Sequence, residues 1–585
     1  MCCAAVGCLG ITTFIWSGIA RDLNVSLALP DHLHSEPCTE TPTITGARYI
    51  IAALCIIIVQ PILRRLWRQW SLRKIPGLSN TSIISGNFTQ VFRTDAIPYQ
   101  DRLFEEYGSL FRINGYLGSQ VLMTSDLDAL HHIIVKHVDV FDSVDYFLKM
   151  MEIAFGRGLL AAPIENDVHR RHRKLMNPAF SLLHVKRLLP LFNAVSRQMR
   201  EIMAVDIRRT GRPETDVLDY MGRAALELIA QGGFGHSFGA LDGKEDILGS
   251  ALKRFSPASS KLFKFRPMLP MLTRTFPRWF LRRVGELLPL PALHELFDLT
   301  DTLDKMSSEV WAEKKRAHAE GKITNSVSQG RDILSRLLEE NDKSELKDRL
   351  PENELEAQIN TFLFAGTDTT SNGLSRLLSL LAQYPEVQDK LREELVMAGA
   401  PDSDLDYDTL DRLPFLEAVC RETLRLFPPA RFVQRLAGKD HLLPLRNPIT
   451  DTDGKLVSEV FVPKGTVVVC SIAAVNRSKQ IWGADAHEWK PERWLSPLPQ
   501  SVLDAHIPGV YANTLTFSGG SRACIGFKFS LLEMKSMIAQ FVPSFEFKPS
   551  EKHAISWWFS GITSPVVENS KSFQAQLPLR VTRIR

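Results

Sequence analysis

Phe517-Ser-Gly-Gly-Ser-Arg522-Ala-Cys524-Ile-Gly526 decides the reading of this chain. Glycines bracket a lone thiol, and an apolar stretch of helical periodicity follows at 528–540. Backbone N–H groups in such a loop approach the sulfur without side-chain crowding, so the pattern points to a metal-bound thiolate at Cys524.

Working outward, 585 residues, 44% of them hydrophobic, supply core for a large domain or two. Lys+Arg number 70 against 66 Asp+Glu, a net charge of +4, which excludes the strong basic bias of a nucleic-acid binder. The eight cysteines, at 2, 3, 8, 38, 55, 420, 470 and 524, form no CxxC and no even spacing. That argues against a disulfide framework and against structural zinc.

The first 74 residues read as a membrane-anchor region, with apolar segments at 2–20 and 44–63, and 75–585 as one catalytic domain. Arg64, Arg65, Arg68, Arg73 and Lys74 follow the second segment and keep what comes after them on the cytosolic side. The first segment is open to three readings: a second span, a segment lying in the interface, or a cleaved leader. Asn24-Val-Ser26 is a glycosylation acceptor only if its loop is luminal.

Beyond residue 78 there is no internal repeat. Helical periodicity covers 98–107, 127–138, 167–204, 214–231, 299–319, 330–341, 354–384, 386–398, 407–426 and 528–540. Strand patterns occur at 110–115, 118–124, 431–436, 458–461 and 466–470. The fold class is therefore mainly α with small β-sheets, an α+β arrangement without regular βαβ alternation. In the longest helical pattern, Ala365-Gly366-Thr367-Asp368-Thr369-Thr370 is an anomaly that predicts an interruption opening a groove for ligand or water. Glu422 and Arg425 share one helical turn, and Arg493 of Pro491-Glu-Arg493-Trp494 is placed to join them in a buried cluster.

Taken together, the chain resembles the membrane-bound, reductase-dependent cytochromes P-450 of fungi, over roughly residues 75 to 575. Phe-x-x-Gly-x-Arg-x-Cys-x-Gly is matched at Phe517, Gly520, Arg522, Cys524 and Gly526. At roughly 5% usage per residue type, five fixed positions coincide about once in a million windows. The Ala-Gly-x-Asp-Thr-Thr pattern falls at 365–370, Glu-x-x-Arg at 422 and 425, and Pro-Glu-Arg-Phe at 491–494 with Trp in place of Phe.

The resemblance implies a haem held between a long central helix and a proximal cysteine loop, with haem b as cofactor and Cys524 as its axial thiolate. It implies that Phe517, Gly520 and Gly526 shape that loop and that Arg522, His169 and Arg173 reach the propionates. Gly366 leaves room for oxygen, Asp368 and Thr369 handle protons for it, and Thr370 bonds its own backbone. Glu422, Arg425 and Arg493 are structural. The substrate pocket is formed by Phe147, Met150, Phe364, Ala365, Phe432, Val433 and Ile562, while Asp142 and Asp145 read as surface carboxylates. The implied partners are an NADPH-dependent reductase, cytochrome b5 as an optional second donor, a hydrophobic small molecule and the lipid bilayer. The implied place is the endoplasmic reticulum membrane with the catalytic domain facing the cytosol. The implied reaction is hydroxylation of an apolar metabolite, such as a terpenoid, in secondary metabolism. Desaturation, rearrangement or dehydration on the same fold, and a non-catalytic haem-binding membrane protein, are the alternatives.

Overall fold

The computed structural model describes residues 60 and 63–584, apart from 83, 213, 243–246, 321–331 and 570–573. The apolar segments expected at 2–20 and 44–63, and Asn24, lie outside the described residues except for 60 and 63. Among the described residues no helix is long and apolar enough to cross a membrane. The chain divides into Met1–Arg64 and Arg65–Arg585, and the architecture below belongs to the second unit.

Prolines cut two of the helices that periodicity alone predicts as continuous. The pattern at 167–204 folds as Val168–Met176, Leu182–Lys186 and Leu189–Thr210. Pro178 lies in the first break, Ser181 caps the next helix by accepting from the His184 N–H, and Pro190 occupies the first turn of the third. Pro414 likewise divides 407–426 into Tyr407–Arg412 and Pro414–Leu426. The interruption expected at 365–370 is absent: Glu352–Gln383 is one 32-residue helix, buried over most of its length. Packing on nearly every side outweighs the weak helix propensity of Gly366 and the threonines. The Thr369 hydroxyl donates back to the Ala365 carbonyl at 2.7 Å without breaking the ladder.

A five-stranded sheet flanks the helices. Leu110–Asn114 pairs antiparallel with Gln120–Thr124, which runs parallel to Val467–Ser471. That strand pairs antiparallel with Phe432–Ala437, and Phe432–Ala437 with Phe141–Ser143. Side chains alternate along a strand. Phe432 accordingly packs with Phe92 and Phe559, whereas Val433 belongs to a different apolar cluster with Cys470 and Val468. The two expected pocket residues thus lie on opposite faces.

Periodicity missed a group of elements: Asp145–Phe155, Ile247–Lys261, Leu269–Thr275 and Arg278–Leu287 are all helical. The central helix packs most extensively against Val217–Phe234. A Cβ on Gly366 would sit 2.9 Å from Ile229 Cγ1 of that helix. Close packing against Ile229 is thus one reason for glycine at this position.

Candidate active site

The cysteine loop is wedged between two stretches of backbone. Gly520 has φ +63°, and a Cβ there would meet the Ile134 carbonyl oxygen at 2.1 Å, so only glycine fits. On the other side, a Cβ on Gly519 would collide with the Pro508 carbonyl. The Cys524 N–H donates to the Phe517 carbonyl at 2.9 Å, which folds the loop back on itself. The Phe517 ring is half-buried between Tyr511 and Phe527. Gly526 is the N-cap of the helix Phe527–Phe541, so Cys524 stands at a positive helix end.

Cys524 combines two properties that rarely coincide. Its side chain has exposed surface, yet surrounding protein desolvates the thiol and pushes its pKa up; the Gly526 N–H and Arg173 oppose that shift. The surface therefore faces an interior gap. Cys420 and Cys470 are ordinary core thiols by comparison, buried and pushed up to about 12.

Cations gather beside the loop. Arg173 donates to the Ala523 carbonyl at 2.8 Å, and so grips the loop itself. Arg522 donates to Asp142 at 2.6 Å and to the Ala162 carbonyl at 2.9 Å, while its Nε has no partner. Asp142 also accepts from the Ile164 N–H, so it is a buried-side anchor for Arg522 and not the surface carboxylate expected. Asp145, by contrast, is exposed, 3.8 Å from Arg274. His169 is buried and pushed down to about 3 by desolvation and by Arg522, Arg173, His172 and Arg435. Arg435, which sequence reading passed over, completes this group from the strand Phe432–Ala437. His172 fastens the helix carrying His169 and Arg173 to the central helix, 2.9 Å from Glu354 and 3.2 Å from Gln358. Arg170 and Lys174 on that helix are exposed and Arg171 is half-buried.

The central helix turns one face to open space. Between Ala357 and Ser375 only Phe364, Ala365, Gly366 and Thr369 are not fully buried. Asp368 lies just off this face, 7% exposed, and its carboxylate accepts from Asn372 Nδ2 at 3.0 Å. Burial raises its pKa to about 6, against the pull of Lys253, Asn372 and Ser256. Thr370 does not stay with its own backbone: its hydroxyl meets Glu533, whose burial pushes that carboxyl well above the usual range.

The predicted Glu-Arg-Arg cluster forms and is saturated. Arg425 sends Nε and Nη2 to the two oxygens of Glu422, each at 2.8 Å. Its remaining N–H groups reach the carbonyls of Asn476, Ala486 and Glu488, so all five donors are used. Arg493 Nε reaches Glu422 at 3.3 Å, and Trp494 Nε1 donates to Glu422 Oε2 at 2.9 Å. The tryptophan thus supplies a donor that phenylalanine lacks.

Aromatic rings wall the open face of the central helix. Phe364 stacks on Phe155 at 4.5 Å, and Phe255 closes against both at 5.3 and 4.8 Å. Ser259 donates to the Met150 sulfur at 3.2 Å, which brings Ile247–Lys261 over Asp145–Phe155. Arg266 is the polar exception: Nη2 donates to Ser259 at 2.8 Å, Nε has no hydrogen-bond partner, and the guanidinium lies 4.9 Å from the Phe263 ring centroid. Ile562 lies in the half-buried turn between Ile555–Phe559 and Thr563–Val567. Phe255 and Arg266 escaped sequence reading because the helix that carries the first, and precedes the second, was not predicted.

A family model for cytochrome P-450 matches residues 76–565. Cytochrome P-450 monooxygenase 91 of Postia placenta is 42% identical over 541 residues, covering 92% of this chain and 99% of that protein. Ganoderic acid synthetase of Ganoderma lucidum is 39% identical over 495 residues, 83% of this chain and 90% of its own length. A monooxygenase of Hericium erinaceus is 35% identical over 547 residues, 91% and 97% of the two chains.

Proposed function

This chain belongs to the cytochrome P-450 family and is a monooxygenase of it, and from that premise we propose that it hydroxylates an apolar small molecule with haem b ligated by Cys524. The balance is RH + O2 + NADPH + H+ giving ROH, H2O and NADP+. The single observation that carries the reading is Cys524: a thiol with interior surface, at a helix amino end, beside arginines.

The donor set fits the group. A sulfur that accepts the Gly526 N–H suits a thiolate ligand, and the orphaned Nε of Arg522 beside Arg435 and His169 suits propionate carboxylates. When bound, haem b supplies the activation of O2, with thiolate donation favouring O–O cleavage.

The protein's own residues do the rest. Arg173 holds the Ala523 carbonyl and so fixes where the neighbouring sulfur points. Asp368, with a pKa of about 6, holds a proton at its carboxyl in part of the population near neutral pH and passes it toward the open face. Thr369 moves its hydroxyl from the Ala365 carbonyl to the same face. Phe364, partly exposed on that face and backed by the buried Phe155 and Phe255, excludes water and receives the apolar body of the substrate. Arg266 offers one cationic contact to a carbonyl or carboxylate on that body. The relative named ganoderic acid synthetase supports a secondary metabolite, which we take to be terpenoid.

The bilayer is read from a second surface. Arg278–Leu287 exposes Trp279 (70%) and Leu287 (85%), with Arg278, Arg282 and Arg283 on the same short helix. That mixture suits a helix lying in the headgroup region. An endoplasmic reticulum membrane, a cytosol-facing catalytic domain, an NADPH-dependent reductase and cytochrome b5 as a second donor complete the proposal.

The test is the reduced carbon monoxide spectrum of haem-loaded protein. Wild type shows the thiolate band and Cys524→Ser loses it. A haem-loaded wild type without the band, or a band that survives Cys524→Ser, overturns the assignment.

A further inference from the structure

Three histidines meet on the outer side of the wall that supports the cysteine loop. His132 opens the π-helical turn His132–Lys136, His137 closes it, and His441 begins the strand His441–Thr450. One ring nitrogen from each lies within 4.8 Å of the others. The ring centroids of His137 and His441 are 4.6 Å apart, and those of His132 and His137 5.2 Å. Phe141 stands edge-on to His441 at 5.4 Å and limits how that ring can turn.

Two of the nitrogens are unaccounted for. His132 Nδ1 and His441 Nε2 are buried and neither has a hydrogen-bond partner. Buried polar atoms without partners are uncommon, and a bound group relieves the desolvation each carries. Desolvation and neighbouring rings also hold both imidazoles below their ordinary pKa. Lys136 adds to that lowering at both rings, and Asp139 opposes it at His441.

We propose that His132, His137 and His441 form a site for a divalent transition-metal ion of the zinc class, separate from Cys524. Three imidazoles with an open fourth position are a recurrent zinc set, and imidazole also suits copper and nickel. Ligand bonds of about 2.0–2.1 Å place tetrahedral donors about 3.4 Å apart, which the half-exposed rings reach by small rotations.

Position gives the site a consequence. Ile134, inside the turn that the histidines bracket, is the residue whose carbonyl abuts Gly520. An ion here ties that turn to the strand His441–Thr450 and clamps one support of the cysteine loop.

Zinc titration of the untagged holoenzyme by calorimetry tests this. Wild type binds one Zn2+ per chain, and the ion raises the thermal midpoint reversibly with EDTA. His441→Ala and His132→Ala each weaken that binding at least tenfold, whereas His131→Ala, at the exposed neighbour outside the trio, leaves it unchanged. His441→Asn serves as the second variant should an alanine protein fail to fold, with circular dichroism as the control. Absence of a one-to-one zinc event in wild type, or wild-type affinity in folded His441→Ala or His441→Asn, overturns the site.

Discussion

Asp368→Asn should make this protein more stable and less competent, and the gain should depend on pH in a calculable way. Burial raises the Asp368 carboxyl from 3.8 to about 6. The folded state therefore holds this proton more tightly than the unfolded chain does. Stability contributed by the neutral acid is full below pH 3.8 and is lost as pH rises toward and through about 6. At about 1.4 kcal/mol per pKa unit, the ionised carboxylate costs about 3 kcal/mol at pH 8 and about 1.6 at pH 5. Asparagine does not ionise and can still accept from Asn372. About 520 residues at roughly 2.1 cal/mol/K each give an unfolding entropy near 1 kcal/mol/K. The variant's midpoint should then exceed wild type by about 3 °C at pH 8 and about half that at pH 5, by calorimetry on the haem-loaded protein. An equal difference at both pH values, or a lower midpoint at pH 8, refutes the buried-acid reading. Product formed per NADPH should fall in the same variant.

Three further outcomes follow from the geometry. Trp494→Phe removes the 2.9 Å donor to Glu422 and should cost about 2 kcal/mol, the typical worth of a bond to a charged acceptor; a double-mutant cycle with Glu422→Gln showing no coupling would show that the indole only fills space. Thr369→Ala should leave stability within about 0.5 kcal/mol, since back-bonding on a helix adds little, yet release more hydrogen peroxide per NADPH; unchanged coupling would remove Thr369 from proton handling. Trp279→Phe should lose a measurable share of fluorescence quenching by brominated lipids in vesicles, and identical quenching would place that helix away from lipid.

Local chemistry was legible in the sequence and long-range pairing was not. The loop at 517–526, the Glu422–Arg425 turn and the face of the central helix each lie within a few residues, where spacing fixes geometry. The breaks at Pro178 and Pro414 were also written in the sequence, but apolar periodicity continues across both and hid them. Asp142 and Arg522 are 380 positions apart, and Arg435 joins Arg522 only because the strand Phe432–Ala437 pairs with Phe141–Ser143. The helix Ile247–Lys261 carries Pro257 in its interior, a residue that ordinarily argues against a helix, and with it Phe255 went unread. The histidine trio had the same difficulty: His441 is brought to His132 and His137 by tertiary packing alone.

Arg173, Arg435 and Arg522 come from three stretches of chain that only late folding can unite. Arg173 grips a carbonyl 350 residues away, and Arg522 a carboxylate 380 residues away. Contacts of that span raise the contact order of the chain, which goes with slower folding. The cluster is complete only when the central helix, the sheet and the terminal loop are all in register.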